Sequence, residues 1–262
     1  MKLYYKDDLC TLTQGDCLEV MEKMAKMELK FDAIITDPPY GTTACKWDSI
    51  IPFDAMWEYL NQLIKENGAM VLNSSQPFTT KLIASNIDNF KHYWIWNKEI
   101  AGAFALAKYR PMIVTEEICV FSKNGKVNYY PIMEDALPKN IRPVNKGSSS
   151  SEATPVSSGI AKSDKNYNPK KRYPKNIITY SKYNAECNQL NRVHPTQKPL
   201  GLIEYLIKTY TNEGDTILDF ACGSGTTLVA AKKLNRKCYG IELEEKYCDV
   251  SVERIKEYNK TR

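Results

Sequence analysis

Four consecutive residues near the start of the chain combine a carboxylate, two rigid backbone units and an aromatic ring: Asp37, Pro38, Pro39 and Tyr40. They follow the apolar run 31–36, which predicts a buried strand ending at Asp37. An exocyclic amine on a nucleic-acid base is a poor nucleophile, and two acceptors for its hydrogens would aim its lone pair at a methyl donor. The Asp37 carboxylate and the Pro38 carbonyl oxygen could be those acceptors, and Tyr40 could stack on an extruded base. Alone, the tetrapeptide is equally consistent with a plain turn after a strand.

A glycine-rich segment near the other end of the chain predicts a ligand-binding loop. Gly223 and Gly225 lie between a strand pattern at 216–220 and a helical pattern that begins at Thr226, and their lack of side chains would let a ligand approach the backbone. Glu242 ends the next predicted strand, at about the separation at which an acidic residue binds ribose hydroxyls. This pairing indicates an adenosine-containing cofactor. A tight turn without any ligand is the alternative for the glycines alone.

A dinucleotide oxidoreductase is the main competing interpretation of this loop. Its Gly-x-Gly-x-x-Gly fingerprint requires a third glycine for close helix packing, and Leu228 stands at that position. The departure, together with Asp219 just before the loop, favours a cofactor without a pyrophosphate. S-adenosylmethionine fits that description.

The positive charge of the chain is concentrated in one segment. The net charge is +5, yet residues 123–192 carry 13 lysines and arginines against 5 acidic residues, a local charge of +8 that leaves −3 for the rest. A positive segment on an acidic body is what a polyanion-binding surface requires, although a solvated lysine-rich loop has the same composition. Six tyrosines are interleaved with these cations, as expected of a surface that contacts phosphates and bases together: Tyr129, Tyr130, Tyr167, Tyr173, Tyr180 and Tyr183.

Strand and helix patterns alternate on both sides of this segment, which predicts an α/β fold with a mostly parallel sheet. The predicted strands are 12–16, 31–36, 69–73, 92–96, 118–121, 216–220 and 237–243, and the predicted helices are 17–27, 53–64, 77–83, 200–210, 226–234 and 244–258. Asn67 and Gly68 are predicted to end the second helix, and Trp94 and Trp96 to face the core. The predicted organisation is one catalytic half at 1–122, an insertion at 123–192 and a cofactor-binding half at 193–262.

Several classes of protein are disfavoured by composition. The eight cysteines form no Cys-x-x-Cys pair, which argues against a zinc site or a disulfide framework, and neither His92 nor His194 has metal ligands at suitable spacing. No apolar run is long enough to span a bilayer, and the N-terminus lacks the pattern of a secretory signal. A cytoplasmic protein without a metal site is therefore expected.

Over nearly its whole length the chain resembles the permuted beta group of DNA amino-methyltransferases. The catalytic tetrapeptide of that family falls on 37–40, its cofactor loop on 219–227 and its ribose-binding acid on Glu242. The His-Pro-Thr-Gln-Lys-Pro segment of such enzymes falls on 194–199. One departure is that residues 219–223 read Asp-Phe-Ala-Cys-Gly, whereas the family more often has proline and phenylalanine before the variable residue and glycine. The resemblance implies a Rossmann-like, seven-stranded, mostly parallel methyltransferase sheet with an inserted target-recognition region.

The resemblance also implies residue roles. Asp16 would face the adenine of the cofactor, and Lys198 would contribute to the methionine side of its pocket. Residues 123–192 would form the target-recognition region. The implied cofactor-binding residues are Asp16, Asp37, Lys198, Asp219, Ala221, Cys222, Gly223, Ser224, Gly225, Thr226, Thr227 and Glu242. The residues expected to contact DNA are Trp47, Arg142, Lys170, Lys171 and Arg172, of which Trp47 is equally consistent with a core position.

The activity that follows is methyl transfer from S-adenosylmethionine to the N6 amine of a flipped adenine in duplex DNA. Adenine is favoured because, in the family resembled, a tetrapeptide led by aspartate goes mostly with adenine and one led by serine mostly with cytosine. The alternatives are cytosine N4 methylation, methylation of RNA or a protein amide, and a DNA-binding relic without catalysis. Double-stranded DNA is the expected partner, and a homodimer and a cognate restriction endonuclease are further expectations.

Overall fold

The computed structural model of the protein describes residues 1–43, 45, 48–102, 104–138, 168, 170–181 and 197–260. The chain divides into two compact units, one formed by Met1–Tyr130 with Asn176–Arg262 and the other by Pro131–Lys175. The strands are β1 Lys2–Lys6, β2 Cys10–Gln14, β3 Phe31–Thr36, β4 Ile64–Ser74, β5 Phe90–Gly102, β6 Ile113–Phe121, β7 Glu134–Asp135, β8 Lys171–Arg172, β9 Ile177–Thr179, β10 Thr216–Asp219 and β11 Lys237–Glu242. The helices are α1 Cys17–Lys26, α2 Phe53–Leu63, α3 Phe78–Ala84, α4 Leu200–Tyr210, α5 Thr226–Lys233 and α6 Glu245–Lys260.

The larger unit is built on a sheet that has nine strands in the described part of the chain, in the order β1-β2-β11-β10-β3-β4-β6-β5-β9. The pairings make seven of these strands run in one direction, with β1 and β6 opposed to them. The two strands that precede the predicted motifs, β3 and β10, are parallel neighbours, with Ala33 paired to Ile217. Because parallel strands end at the same sheet edge, the loops after them must meet there.

All seven strands predicted from the sequence are present and form the central part of this sheet. The two additional strands lie at its edges. At one edge β1 pairs antiparallel with β2, and at the other the three-residue β9 pairs parallel with β5, Ile177 opposite Ile95. Neither shows a repeated apolar alternation, since β1 is exposed or half-buried throughout and β9 is too short to have a period.

The sheet is covered by helices on both faces. Helices α4, α5 and α6 pack on one face and α1, α2 and α3 on the other, and each face has its own buried apolar cluster. Neighbouring residues of β4 alternate between the two clusters, because Val71 belongs to one and Met70 and Leu72 to the other. Trp94 and Trp96 are both buried in the cluster below α4, which confirms the prediction that they face the core.

The predicted end of the second helix at Asn67 and Gly68 is wrong. Helix α2 ends at Leu63, and β4 begins at once with Ile64, which pairs with Phe31. Asn67 has a φ of +60°, so the strand bends there and then continues. A Cβ at Gly68 would lie 2.7 Å from the Ile64 side chain. Glycine is therefore needed so that the strand can pack closely against Ile64 at the bend, and it does not end a helix.

Within the smaller unit, β7 and β8 form a short antiparallel pair, with Glu134 opposite Arg172 and Asp135 opposite Lys171. Lys171 Nζ lies 2.7 Å from Asp135 Oδ1. Most of the predicted insertion 123–192 lies outside the described residues, so its boundaries stay a prediction. None of the described helices has the length and apolar character that crossing a bilayer requires.

Candidate active site

The predicted motifs line one cavity of about 520 Å³ in the larger unit, at the edge where the parallel strands end. The loop after β3 contributes Asp37 to Tyr40 and the loop after β10 contributes Ala221 to Ser224. The ends of β2 and β11 add Asp16 and Glu242. Residues that are almost two hundred positions apart in sequence are therefore brought into one site by the pairing of β3 with β10.

The glycine loop is held in shape by α6. Gly223 and Gly225 have φ values of +52° and +74°, which favour glycine, and Gly225 stands directly before the first residue of α5. Ser251 Oγ donates a hydrogen bond to the Gly223 carbonyl oxygen over 2.8 Å, and Arg254 Nη1 donates to the Ser224 carbonyl oxygen over 2.6 Å. A Cβ at Gly225 would approach Ser251 to 2.8 Å. Contacts with α6 therefore hold the loop in this conformation.

Glu242 ends β11 beneath this loop. Its Oε2 accepts from the Gly223 amide and its Oε1 from the Glu244 amide, each over 2.8 Å. The residue is only 9% exposed, and burial raises the pKa of the Glu242 carboxyl while these amide bonds oppose the rise. Each carboxylate oxygen retains a further lone pair, so Glu242 can still accept hydrogen bonds from a diol in the cavity.

Asp16 lies beside Glu242 at the start of α1. Its carboxylate accepts from the amides of Leu18 over 2.9 Å and Glu19 over 3.2 Å, which makes it the N-cap of the helix. The preceding Gly15 amide donates to the Glu242 carbonyl oxygen over 2.9 Å. Two acidic residues from neighbouring strands are thereby fixed on the same side of the cavity.

Asp219 connects the glycine loop to the end of β3. It is buried, and its Oδ1 accepts from Thr36 Oγ1 over 2.8 Å and from the Ala221 amide over 3.2 Å. Burial raises the pKa of the Asp219 carboxyl to about 6, against the opposing effect of hydrogen bonds from Thr227 and Thr36. The bond to Thr36 fixes the residue that immediately precedes Asp37.

In the tetrapeptide, Tyr40 turns back onto Asp37. The Tyr40 hydroxyl donates to Asp37 Oδ1 over 2.5 Å, and its ring stacks on Phe78 with centroids 5.1 Å apart. One face of the Tyr40 ring is therefore covered by Phe78. Only the other face is available for stacking with a base.

Lys198 occupies a place that its predicted role did not anticipate. Its Nζ lies 2.7 Å from Asp37 Oδ2 and 3.3 Å from Glu116 Oε2, so the ammonium bridges two carboxylates. Burial opposes the charge of Lys198, but Asp37 and Glu116 together raise its pKa above the ordinary value and keep it protonated. For Asp37, burial raises the pKa of the carboxyl and Lys198 and Tyr40 oppose the rise.

The site also contains polar residues that were not predicted. Glu116 on β6 and Lys98 on β5 form an ion pair over 3.1 Å next to Lys198. Asn73, near the end of β4, donates from Nδ2 to the Thr36 carbonyl oxygen over 3.0 Å, while its buried Oδ1 has no hydrogen-bond partner among the described residues. Only Asn73 had a signal in the sequence, as a polar residue at the carboxyl end of an apolar strand pattern, after Val71 and Leu72.

The residues expected to contact DNA are not assembled by the described structure. Lys170 is exposed, Lys171 pairs with Asp135, and Arg172 donates from Nη1 to the Lys171 carbonyl oxygen over 2.8 Å, all in the smaller unit. Trp47 and Arg142 lie outside the described residues.

Residues 31–253 match the family model of N6/N4-type DNA methylases, a span that contains both the tetrapeptide 37–40 and the glycine loop. The chain belongs to this family. It is 28% identical over 241 residues to the type II methyltransferase M.HpaI of Haemophilus parainfluenzae, covering 87% of this chain and 69% of the relative. It is 26% identical over 262 residues to the DNA adenine methyltransferase YhdJ of Escherichia coli K12, covering 94% and 82%.

Among solved structures, the crystal structure of the M1.HpyAVI–SAM complex superposes with a TM-score of 0.62 at 25% sequence identity. The match covers 94% of this chain and 99% of that one. The protein is therefore a DNA methyltransferase of the N6/N4 type with the α/β fold of these enzymes, as the sequence predicted. The family membership leaves the choice between adenine and cytosine open.

Proposed function

We propose that this DNA methyltransferase transfers a methyl group from S-adenosylmethionine to the N6 amine of adenine in duplex DNA. The observation that carries the proposal is the position of Asp37 and Pro38 at the end of β3, in the same cavity as the glycine loop after β10. An aspartate at the head of the tetrapeptide supports adenine as the target, as does the likeness to an adenine methyltransferase.

The residues around the glycine loop fit the cofactor. Glu242 can accept from ribose hydroxyls, and Asp16 lies where an adenine amine next to that ribose would find an acceptor. The left-handed Gly223 and the loop fixed by Ser251 provide a backbone surface without side chains in the way. When bound, S-adenosylmethionine supplies an electrophilic methyl group on a positively charged sulfur.

Asp37 and Pro38 orient the nucleophile. The Asp37 carboxylate and the Pro38 carbonyl oxygen each accept one hydrogen of the amine, which draws the nitrogen toward tetrahedral geometry and directs its lone pair. The Tyr40 hydroxyl fixes Asp37 Oδ1, and the face of the Tyr40 ring that Phe78 does not cover holds the base by stacking. The amine becomes acidic as it is methylated, so Asp37 need only receive the proton that is then released.

The target base is tested by analysis of the product. The purified protein is incubated with duplex DNA and S-adenosylmethionine carrying a labelled methyl group, and the DNA is digested to nucleosides. We expect label in N6-methyl-2′-deoxyadenosine. Label in N4-methyl-2′-deoxycytidine instead would refute adenine as the target while leaving the family assignment intact.

Duplex DNA is proposed to bind through residues 123–192, whose local charge of +8 favours contact with phosphates. A homodimer, a cognate restriction endonuclease and a cytoplasmic location stay predictions from the sequence.

A further inference from the structure

A chain of alternating charges runs from the β5–β6 hairpin to the tetrapeptide. Lys98 Nζ lies 3.1 Å from Glu116 Oε1, Glu116 Oε2 lies 3.3 Å from Lys198 Nζ, and Lys198 Nζ lies 2.7 Å from Asp37 Oδ2. The side chains of Lys98 and Lys198 are each only 8% exposed. Charges are costly to bury and need a reason, and neither Lys98 nor Glu116 has a role in the reaction described above.

The chain has a consequence for the carboxylate that must receive the substrate. Asp37 already accepts from Tyr40 at Oδ1 and from Lys198 at Oδ2, so an entering amine must use the remaining lone pair of an oxygen whose negative charge an ammonium already neutralises. A lysine paired with Asp37 alone would hold that oxygen strongly in a poorly solvated site. Glu116 gives the ammonium a second carboxylate. The distance from Lys198 Nζ to Glu116 Oε2 is only 0.6 Å longer than its distance to Asp37 Oδ2.

We propose that Glu116, held in place by Lys98, is a positioning residue that shares the Lys198 ammonium with Asp37 and takes it over when the target amine binds to Asp37. The ammonium has only a short distance to travel, because its separations from the two carboxylates are 2.7 and 3.3 Å. Lys98 is required for the state in which Lys198 has returned to Asp37. Without Lys98, Glu116 would then carry a buried charge with no cation beside it. The inference rests on the proposed role of Asp37 as the acceptor for the amine.

The ionisable groups facing Asp37 are Lys198 before α4, Tyr40 on its own loop, Glu116 on β6 and, across the sheet, Asp219 on β10. Glu116 is a like charge that raises the pKa of Asp37, after the larger effect of burial. Glu116→Gln removes that charge, so the pKa of Asp37 must fall. Lys98→Met leaves the charge of Glu116 less neutralised, so the pKa of Asp37 must rise.

The test is the pH dependence of kcat/KM for DNA methylation, whose acid limb includes the ionisation of Asp37 in the free enzyme. Asp219 also ionises on this limb, so each variant is compared with the unmodified enzyme. In Glu116→Gln we expect the acid limb to move to lower pH and kcat/KM at its optimum to fall by roughly 10-fold or more, since a misplaced acceptor is costly. In Lys98→Met the acid limb should move to higher pH. Merely structural damage would not move the limb in opposite directions.

Glu117→Gln is the matched control, because it removes the same charge from the next residue of β6, where Glu117 accepts from Thr79 Oγ1 instead of facing Lys198. Its acid limb should coincide with that of the unmodified enzyme. Because Lys98 acts through Glu116, Lys98→Met should cost much less activity in the Glu116→Gln background than alone.

Unmoved acid limbs in both variants would overturn the inference, and so would equal costs of Lys98→Met in the two backgrounds. If Glu116→Gln does not fold, Lys98→Met alone decides, since the absence of an upward shift contradicts the proposal. The proposed function is tested separately by Asp37→Ala. An active Asp37→Ala enzyme would refute the role of Asp37 as the acceptor. An inactive one, with unmoved acid limbs in the Glu116 and Lys98 variants, would refute only the role of Glu116.

Discussion

Among single residues, the site combines two carboxylates at strand ends, Asp37 and Glu242, with the ion pairs that join Lys98, Glu116 and Lys198. Asp37 and Glu242 were predicted because each ends an apolar strand pattern, and both line the cavity. Glu116 and Lys98 could not be found in this way, since a charged residue in a strand is usually solvated and only the antiparallel pairing of β5 with β6 brings these two to Lys198. The role of Lys198 toward the methionine group stays a prediction.

Removal of the Glu242 carboxylate should weaken cofactor binding. Glu242→Ala deletes acceptors for the ribose hydroxyls, and we expect a loss of about 1.5–3 kcal/mol in the free energy of S-adenosylmethionine binding, the range for charge-assisted hydrogen bonds. Calorimetry measures the affinity, with circular dichroism as the check on folding. Glu245→Ala removes an exposed acid of α6 and serves as the control. An unchanged affinity in a folded Glu242→Ala protein would reject the ribose role.

The buried Asp219 should make folding depend on pH. Its pKa is raised from 3.8 to about 6 by burial, so the folded state binds this proton more tightly than the unfolded state. Protonated Asp219 therefore stabilises the folded protein. This contribution is complete below pH 3.8, the pKa of the carboxyl in the unfolded chain, and is lost as the pH rises through about 6. The free energy of unfolding changes by about 3 kcal/mol over this range. Asp219→Asn keeps an acceptor for Thr36 and should remove this part of the pH dependence, as denaturant unfolding without cofactor can measure. Parallel pH curves for the two proteins would contradict the argument.

At the scale of elements, apolar periodicity in the sequence was enough to predict the bounds of helices that pack along their whole length on the sheet. The bounds of α4 were predicted at 200–210 and observed at Leu200–Tyr210, because an apolar stripe faces the sheet for the whole helix. The strand β9 and the bend of β4 at Asn67 depend on pairing with distant segments, so local patterns could not reveal them. The contact of α6 with the glycine loop through Ser251 is likewise tertiary.

The packing of α6 on this loop gives a prediction at the same scale. Gly225→Ala adds a Cβ 2.8 Å from Ser251 at a φ of +74°, so it should incur both backbone strain and a clash. Gly214→Ala is the matched control, because Gly214 has a φ of +86° and nothing within 4 Å of the added Cβ. We expect each to lose about 1 kcal/mol or more of stability through strain, and Gly225→Ala to lose clearly more and to weaken cofactor binding. Equal losses in denaturant unfolding would show that α6 does not constrain the loop.

At the scale of the whole molecule, the sheet with its cavity and the densest run of cations belong to different units of the chain. The α/β sheet and the cavity belong to the unit Met1–Tyr130 with Asn176–Arg262, whereas the densest run of cations, Lys170 to Arg172, belongs to the unit Pro131–Lys175. That residues 123–192 form a separate target-recognition region stays a prediction from composition. The arrangement of residues 139–167 could not be predicted from periodicity, because serine-rich sequence has no apolar pattern.

Neutralising Lys170, Lys171 and Arg172 together should lower the affinity for all DNA sequences and flatten its dependence on salt, because each phosphate contact releases a counterion. S-adenosylmethionine binding should be unaffected. The control neutralises the exposed Lys208, Lys237 and Lys256, which gives the same change in net charge on the larger unit. If both triple variants showed the salt slope of the unmodified protein, the cations of the smaller unit would not contact DNA.

If Asp37 orients an adenine amine for methyl transfer, Asp37→Ala must transfer methyl groups far more slowly than the unmodified protein. Labelled methyl incorporation at adenine N6 in duplex DNA is compared between this variant and the unmodified protein, with cofactor affinity measured by calorimetry on both. We expect a loss of roughly 10²-fold or more in transfer while S-adenosylmethionine still binds. Transfer at a near-unmodified rate by the folded variant would show that Asp37 does not orient the amine.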